Sequence, residues 1–161
     1  MPKFIMTELV EYTKVETARL GAGTGSANWL TDKEVGKFVK LVAESRFDLC
    51  AVGNEIEGRI GSIDAGGSYD NYSLGSVERG GRFAVTFDGI QATPGTGAVA
   101  LGDYVVCGTP VAKDTALTFG TPAKVCKATA AATGIVHKWR VVSLGSAGTG
   151  AVGTQGLIEK V

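Results

Sequence analysis

Glycine is the residue that most constrains the fold of this chain. The sequence has 24 glycines and only four prolines, and the glycine share is about twice the usual one of roughly 7%. Glycine loses more backbone freedom on folding than other residues, so it suits places that need a positive φ or a close backbone approach. Apolar residues still make up 44% of the chain. Frequent glycine between apolar runs therefore indicates many tight turns between short strands.

Short segments alternate apolar and polar residues with the two-residue period of a strand that has one face in water. Phe83, Val85 and Phe87 form the clearest inward face, and Ile56 and Ile60 repeat the pattern among charged residues. Further strands are expected at 37–42, 46–51, 104–107, 138–144 and 157–161, with weaker ones near 117 and 125–126. Eight or more such strands predict an all-β fold, either a sandwich or a barrel, and a jelly-roll is one of the open topologies.

One short helical feature interrupts this pattern. Thr31 and Glu34 have the spacing of a capping box, in which the two side chains satisfy each other's backbone N–H groups. Gly36 and the β-branched residues that follow disfavour a long helix. We expect at most one helical turn and then a strand.

The N-terminal part of the sequence differs from the rest. A glycine-rich run at residues 21–26 has the composition of a flexible joint. The residues before it are either an edge strand of the body or an arm that reaches a neighbouring subunit, and the joint favours the arm. We therefore divide the chain into an N-terminal arm with its joint (residues 1–30) and a β-domain (residues 31–161).

Charge and hydropathy exclude several classes of partner. Sixteen basic and sixteen acidic residues cancel, and no dense basic run offers the one-sided positive surface that nucleic acid binding requires. No apolar stretch approaches the roughly 20 residues of a membrane span. Glu8 and Glu11 interrupt what would be the apolar centre of a secretory signal. We expect a protein made in a cytoplasm, without direct contact with nucleic acid or membrane.

Residues that carry chemistry are scattered. His137 is the only histidine, has no GxSxG-type nucleophile signature elsewhere in the chain, and is interpreted as an edge or surface histidine. Cys50, Cys107 and Cys126 are widely spaced without a CxxC pair, so we expect three small buried side chains rather than a zinc site or disulfides.

Two carboxylates are candidates for a catalytic pair, because a pair of carboxylates can catalyse glycoside hydrolysis. Glu55 and Glu57 share the outward face of one predicted strand, but Arg59 continues that face. Charged residues in this pattern are typically solvated or protect a sheet edge. The glycine runs also lack the context of a nucleotide-binding loop. The sequence therefore predicts no catalytic residues, no metal and no cofactor.

Four segments nevertheless resemble a known group of proteins. Residues 35–42, 46–58, 102–106 and 138–145 are similar to turn-and-strand patterns of capsid decoration (cement) proteins of tailed bacteriophages. The resemblance covers roughly residues 35–161. It implies a β-rich protein on the outside of the virion that binds the major capsid protein as a homo-dimer or homo-trimer and cements neighbouring capsomers.

The contacts of such a protein would come from apolar and aromatic anchors, which dominate interface energies. The candidates for contact with the capsid or with another subunit are Phe4, Ile5, Leu9, Val10, Tyr12, Trp29 and Leu30. Trp29 has packing onto its own domain as an equal alternative. Two other functions stay open: a head-fibre or tail attachment base, and a carbohydrate-binding β-sandwich. For the latter, Tyr104 and Trp139 are the possible stacking platforms, although both are expected to fill the core.

Overall fold

The computed structural model describes residues 14–23, 25–64, 73–129 and 136–161. Within these ranges the chain forms eleven strands and two single-turn 3-10 helices, Ser26–Asn28 and Asp32–Glu34. The strands are β1 (Val15–Leu20), β2 (Phe38–Ala43), β3 (Arg46–Leu49), β4 (Gly58–Asp64), β5 (Ser73–Glu78), β6 (Arg82–Ile90), β7 (Thr93–Pro94), β8 (Tyr104–Cys107), β9 (Lys124–Lys127), β10 (Trp139–Ser143) and β11 (Gln155–Lys160). None of the described helices is long and apolar enough to cross a membrane.

The first five strands close into a small barrel, called here the first barrel. Their order around it is β1-β3-β2-β4-β5, and β5 pairs with β1 to complete the ring. All neighbours are antiparallel except β1 and β3, which pair in parallel through only two residue pairs. Ring closure leaves few unpaired backbone groups at an edge.

The remaining six strands form the second sheet, in the order β11-β10-β8-β9-β6-β7. An additional antiparallel pairing between β6 and β11 links the two ends of its five longer strands. The parallel pairing of β6 and β9 requires a crossover, and β7 and β8 lie on that path along the chain. The prediction of an all-β sandwich or barrel is confirmed.

Each of the two units has its own apolar core. The first barrel is filled mainly by Leu20, Val39, Phe47, Ile60 and Val77. The second sheet surrounds a larger cluster, which includes Phe83, Val85, Phe87, Trp139 and Ile158. Phe38, Cys50 and Ile56 come from the chain of the first barrel but pack into this second cluster. The two cores therefore meet through side chains that the first unit contributes to the second.

Most of the strand predictions are confirmed. Phe83, Val85 and Phe87 all point inward and are at most 2% exposed, and Ile56 and Ile60 are equally buried. The capping box at Thr31 and Glu34 opens a single 3-10 turn, and β2 follows it.

The N-terminal arm needs correction where the structure describes it. Val15–Leu20 is not part of an arm, because this strand pairs along its whole length with β5 and at its end with β3. Ala18 and Leu20 are buried in the first core. The alternative of a strand of the body is the one that holds for these residues, because their apolar side chains complete the ring. Residues 1–13 lie outside the described ranges.

Candidate functional site

The segment between β3 and β4, residues 50–57, joins the first barrel to the second sheet and is called here the connecting segment. Gly53 donates its backbone N–H to the carbonyl of Cys107 at 2.8 Å, and Cys107 donates to the carbonyl of Asn54 at 3.0 Å. The indole Nε1 of Trp139 donates to the carbonyl of Ile56 at 2.9 Å. The connecting segment thus behaves like an additional strand laid against the end of β8.

Aromatic rings fill the space beneath this segment. Phe83 stacks on Trp139 with the ring centroids 4.7 Å apart, and Phe38 lies 6.1 Å from Phe83. The guanidinium of Arg59 covers the Phe83 ring at 4.6 Å, a distance at which a cation is attracted to an aromatic face. Its other contact is an ion pair with Glu78. Residues of both units therefore share one packed interface.

The outward carboxylates of the connecting segment are paired across this interface and are not simply solvated. Glu55 contacts the imidazole Nδ1 of His137, and Glu57 contacts the ammonium of Lys138. Glu57 also lies 3.4 Å from Arg79, a residue that pairs with Glu16 of β1 at 2.8 Å. The interpretation of Glu55 and Glu57 as solvated residues is therefore corrected, because the chain just before β10 places His137 and Lys138 opposite them.

The position of His137 also differs from the prediction. Its side chain is only 13% exposed, so it is not a surface histidine. In many acyl-transfer sites a histidine acts as the general base, and a carboxylate holds it in the correct orientation. However, Nε2 of His137 is buried without a hydrogen bond to any described residue, so no nucleophilic hydroxyl or thiol of the described chain is in place. The arrangement is a polar contact between the two units.

The three cysteines are free and buried, as predicted. A hydrogen bond with the Cys107 side chain and burial both raise the pKa of the Cys50 thiol. Burial raises the pKa of Cys126 to about 11. Such thiols are inert, since the thiolate is the reactive form. No group of three or more His, Cys, Asp or Glu side chains in the described ranges is arranged to hold a metal ion.

Cys50 and Cys107 line a cavity of about 170 Å³ between the two units. Its wall is mostly apolar and comes from both units: Phe38 and Leu49 from the first, and Pro110, Leu117 and Ala123 from the second. The charged residues at the lining are Lys37 and Lys124. A cavity of this character suits an apolar group better than an ion.

The outer wall of the cavity is the loop between β8 and β9, residues 108–123. The buried ion pair of Lys37 and Glu34 holds this loop. Lys37 donates to the carbonyl of Ala112 at 2.8 Å, and Asp114 donates its backbone N–H to Glu34 at 2.6 Å. Burial by itself raises the pKa of the Glu34 carboxyl, but hydrogen bonds from the backbone of Thr31 and Asp114 outweigh it, so the pKa is lowered. The loop is therefore a built part of the structure.

Phe119 stands at the tip of this loop and is completely exposed. A hydrogen-bonded turn presents it, because Thr121 donates its N–H to the carbonyl of Thr118 at 2.9 Å. Gly120 occupies the turn position with a positive φ of 74°, as glycine does in a type II turn. Sequence reasoning did not single out this aromatic residue, which directly precedes the glycine of the turn.

The predicted contact residues have different positions. Phe4, Ile5, Leu9, Val10 and Tyr12 lie outside the described residues. Leu30 is only 3% exposed and packs in the core of the first barrel, so its side chain is not available as a contact. Its backbone N–H is also bound to the hydroxyl of Ser73. Trp29 is half-buried next to it.

The two aromatic residues considered as stacking platforms differ in their exposure. Trp139 is completely buried, as expected, whereas Tyr104 is 46% exposed and does not fill the core. Its ring lies 6.1 Å from that of His137.

Comparison of the chain with protein-family models, curated proteins and solved structures found no match. Function must therefore be argued from the residues and the geometry.

Proposed function

We propose that this chain is a capsid decoration protein, which binds the outside of an assembled bacteriophage shell and acts by adhesion without catalysis. One observation carries the proposal: the four segments that resemble such proteins meet in the fold. Residues 35–42 pair with residues 46–58 in β2 and β3, and the second of these segments includes the connecting segment. Residues 138–145 contribute the Trp139 bond to Ile56, and β10 of this segment pairs with residues 104 and 105 of β8. The resembling residues thus include those that fix the two β-units to each other.

A fixed pair of units suits a protein that works through binding alone. A molecule that binds the assembled shell, and not its separate subunits, stabilises the assembly by mass action. A rigid binding surface loses little conformational freedom on binding, so more of the contact energy is available for affinity. In this proposal the partners are the major capsid protein and further copies of the chain.

The charge distribution supports a place on the shell exterior. The formal net charge of the chain is zero, and Glu57 of the connecting segment contacts the cationic side chains of Arg79 and Lys138. A surface without a dominant sign of charge does not attract packaged nucleic acid and does not need it as a partner.

Contacts with the shell or with another copy of the chain would come from apolar side chains that are exposed in the free chain. The most exposed of the described ones are Phe119, Val136, Leu101, Val15 and Val161. Scattered exposed apolar residues are normal, but a fully exposed phenylalanine on a fixed turn is an unusual feature that favours an interface. The residues Phe4, Ile5, Leu9, Val10 and Tyr12 remain proposed contacts.

Binding to preformed shells tests the proposal directly. Shells that lack this protein are mixed with the purified chain, and bound protein is separated by sedimentation of the shells. We expect saturable binding, a higher temperature of shell disruption, and no binding to the unassembled capsid protein. Equal binding to the unassembled protein would remove the cementing mechanism, and no binding to shells would contradict the proposal.

A head-fibre or tail attachment base would use the same rigid units in another place on the particle, and the location of labelled protein on virions separates it from decoration. A carbohydrate-binding module is less well supported, because completely buried Trp139 cannot stack on a sugar ring. Only Tyr104 of the two expected platforms is accessible. Binding to a glycan array without binding to shells would favour that alternative.

A further inference from the structure

Phe119 projects into solvent from a turn, and contacts on both sides of it fix the backbone of that turn. The turn hydrogen bond from Thr121 to Thr118 closes beneath it, and the amide of Gln155 in β11 donates to the carbonyl of Gly120 at 2.6 Å. The earlier part of the same loop is tied to the first barrel through Lys37 and Glu34. A turn fixed in this way is pre-organised for a partner, because little backbone freedom remains to be lost on binding.

The apolar cavity lies directly beside this turn. Thr118 and Thr121, which flank Phe119 and Gly120, both belong to the cavity wall. An apolar cavity of about 150 Å³ is large enough to accept a benzene molecule, and the cavity beside Phe119 has about 170 Å³. The chain therefore carries an exposed phenyl ring next to a cavity of matching size and polarity.

We propose that the occupant of this cavity is the Phe119 ring of a second copy of the chain. A projection and a recess that lie side by side are self-complementary about a two-fold axis, since each copy then inserts its ring into the cavity of the other. The product is a closed dimer with two equivalent contacts.

The charges near the contact permit such self-association. Lys124 at the cavity pairs with Asp88 at 3.6 Å, and Lys113 in the loop pairs with Asp114 at 2.9 Å. Two identical faces would repel each other if one sign of charge dominated, but both lysines have an acidic partner within the chain. The formal net charge of zero adds no long-range repulsion.

This inference deepens the self-association within the proposed function, and its test is independent of a capsid. The free protein is used, so absence of a dimer would overturn the Phe119 contact while shell binding remains to be measured separately. Conversely, a dimer that does not bind shells would leave the contact standing and contradict the decoration role.

The experiment measures the dimer dissociation constant of the full chain by sedimentation velocity over a concentration series. Phe119→Ser removes the ring and keeps the cavity, whereas Thr121→Trp fills the cavity mouth and keeps the ring. We expect each variant to dimerise at least roughly 30-fold more weakly than the wild type, the loss typical of an interface hot spot. Leu41→Ser, which removes another exposed apolar side chain outside the cavity lining, should leave the dissociation constant unchanged. Circular dichroism and the thermal midpoint verify that each variant folds.

Mixing the two variants provides the decisive arm. Neither variant can form a ring-in-cavity contact with itself, but the Thr121→Trp chain can insert its intact Phe119 into the open cavity of the Phe119→Ser chain. We expect a mixed dimer that is tighter than either variant alone. The inference is overturned if the wild type stays monomeric up to ~1 mM, if Phe119→Ser dimerises like the wild type, if the mixture gains nothing, or if the wild type forms an open or three-fold assembly.

Discussion

The indole nitrogen of Trp139 donates a hydrogen bond of 2.9 Å to the carbonyl oxygen of Ile56, which lies 83 residues earlier in the chain. Both residues are completely buried. This bond crosses from the second sheet to the connecting segment, so it satisfies a backbone carbonyl of one unit with a side chain of the other. Bonds of this kind make the two units depend on each other.

Trp139→Phe should destabilise the whole chain. The phenyl ring keeps much of the apolar contact, but the Ile56 carbonyl loses its donor in a buried place, which costs about 1–3 kcal/mol of unfolding free energy. Urea denaturation monitored by circular dichroism measures this loss. Tyr104→Phe serves as the control, because Tyr104 is half-exposed, and it should change the unfolding free energy by less than about 0.5 kcal/mol. Equal effects of the two substitutions would contradict the role of the Trp139 bond.

Glu34 should make the stability of the chain sensitive to acid. Burial raises the pKa of its carboxyl, but the hydrogen bonds that the carboxyl accepts lower the pKa by more than burial raises it. The pKa in the folded state therefore lies below that in the unfolded state. The resulting stabilisation is fully present above the unfolded pKa and is lost as the pH falls through the lower, folded pKa. We expect the urea midpoint to fall in this window.

The matched variant is Glu34→Gln, which leaves Lys37 buried without its counter-charge. At neutral pH it should lose about 3 kcal/mol of unfolding free energy, as for a broken buried pair. The difference from the wild type should shrink in acid, because the wild-type carboxyl is then protonated as well. A difference that is the same at every pH would show that the charge of Glu34 does not matter.

Two glycines of one hairpin should respond differently to the same substitution. Gly89 and Gly95 both have a positive φ, 80° and 87°, so alanine is strained at either position. At Gly95 an added Cβ meets open space, whereas at Gly89 it overlaps the backbone of Thr96. Gly95→Ala should therefore cost about 1–2 kcal/mol, and Gly89→Ala at least about 2 kcal/mol more.

Denaturant midpoints of the two glycine variants measure this difference. Should Gly89→Ala prevent soluble expression, the prediction still holds when Gly95→Ala folds with a modest loss. Similar stabilities for both variants would contradict the close approach of the Gly89 and Thr96 backbones.

The buried thiols should be unreactive in the native protein. With a pKa of about 11, Cys126 is a thiolate in only about one molecule in a thousand at pH 8, and Cys50 is shifted in the same direction. An aromatic disulfide reagent should release no colour within minutes at pH 8 and three equivalents after denaturation. Rapid release of one equivalent from the native protein would show that a thiol is accessible.

Local pattern was sufficient to predict much of the fold. The alternation around Phe83 and Ile56 depends on which face of a strand is buried, and this information is contained in neighbouring residues. The capping box at Thr31 is likewise a short-range signal. Both predictions are confirmed, because the forces that decide them act within a few residues.

Long-range contacts explain what sequence reasoning did not find. The partner of Glu55 is His137, 82 residues away, and nothing in either local pattern indicates the other. The closure of β1 against β5 depends on strands far apart in the sequence, so Val15–Leu20 was interpreted as part of an arm when it is a barrel strand. Phe119 was missed because exposure follows from the course of a whole loop.

A cryo-electron microscopy density map of tailed-phage particles assembled with this chain tests the proposed capsid role most directly. The proposal predicts density for two joined β-units on the outer face of the head, repeated with the symmetry of the shell and in contact with neighbouring capsomers. A head whose exterior carries no such density, or a chain located in the tail or inside the shell, would contradict it.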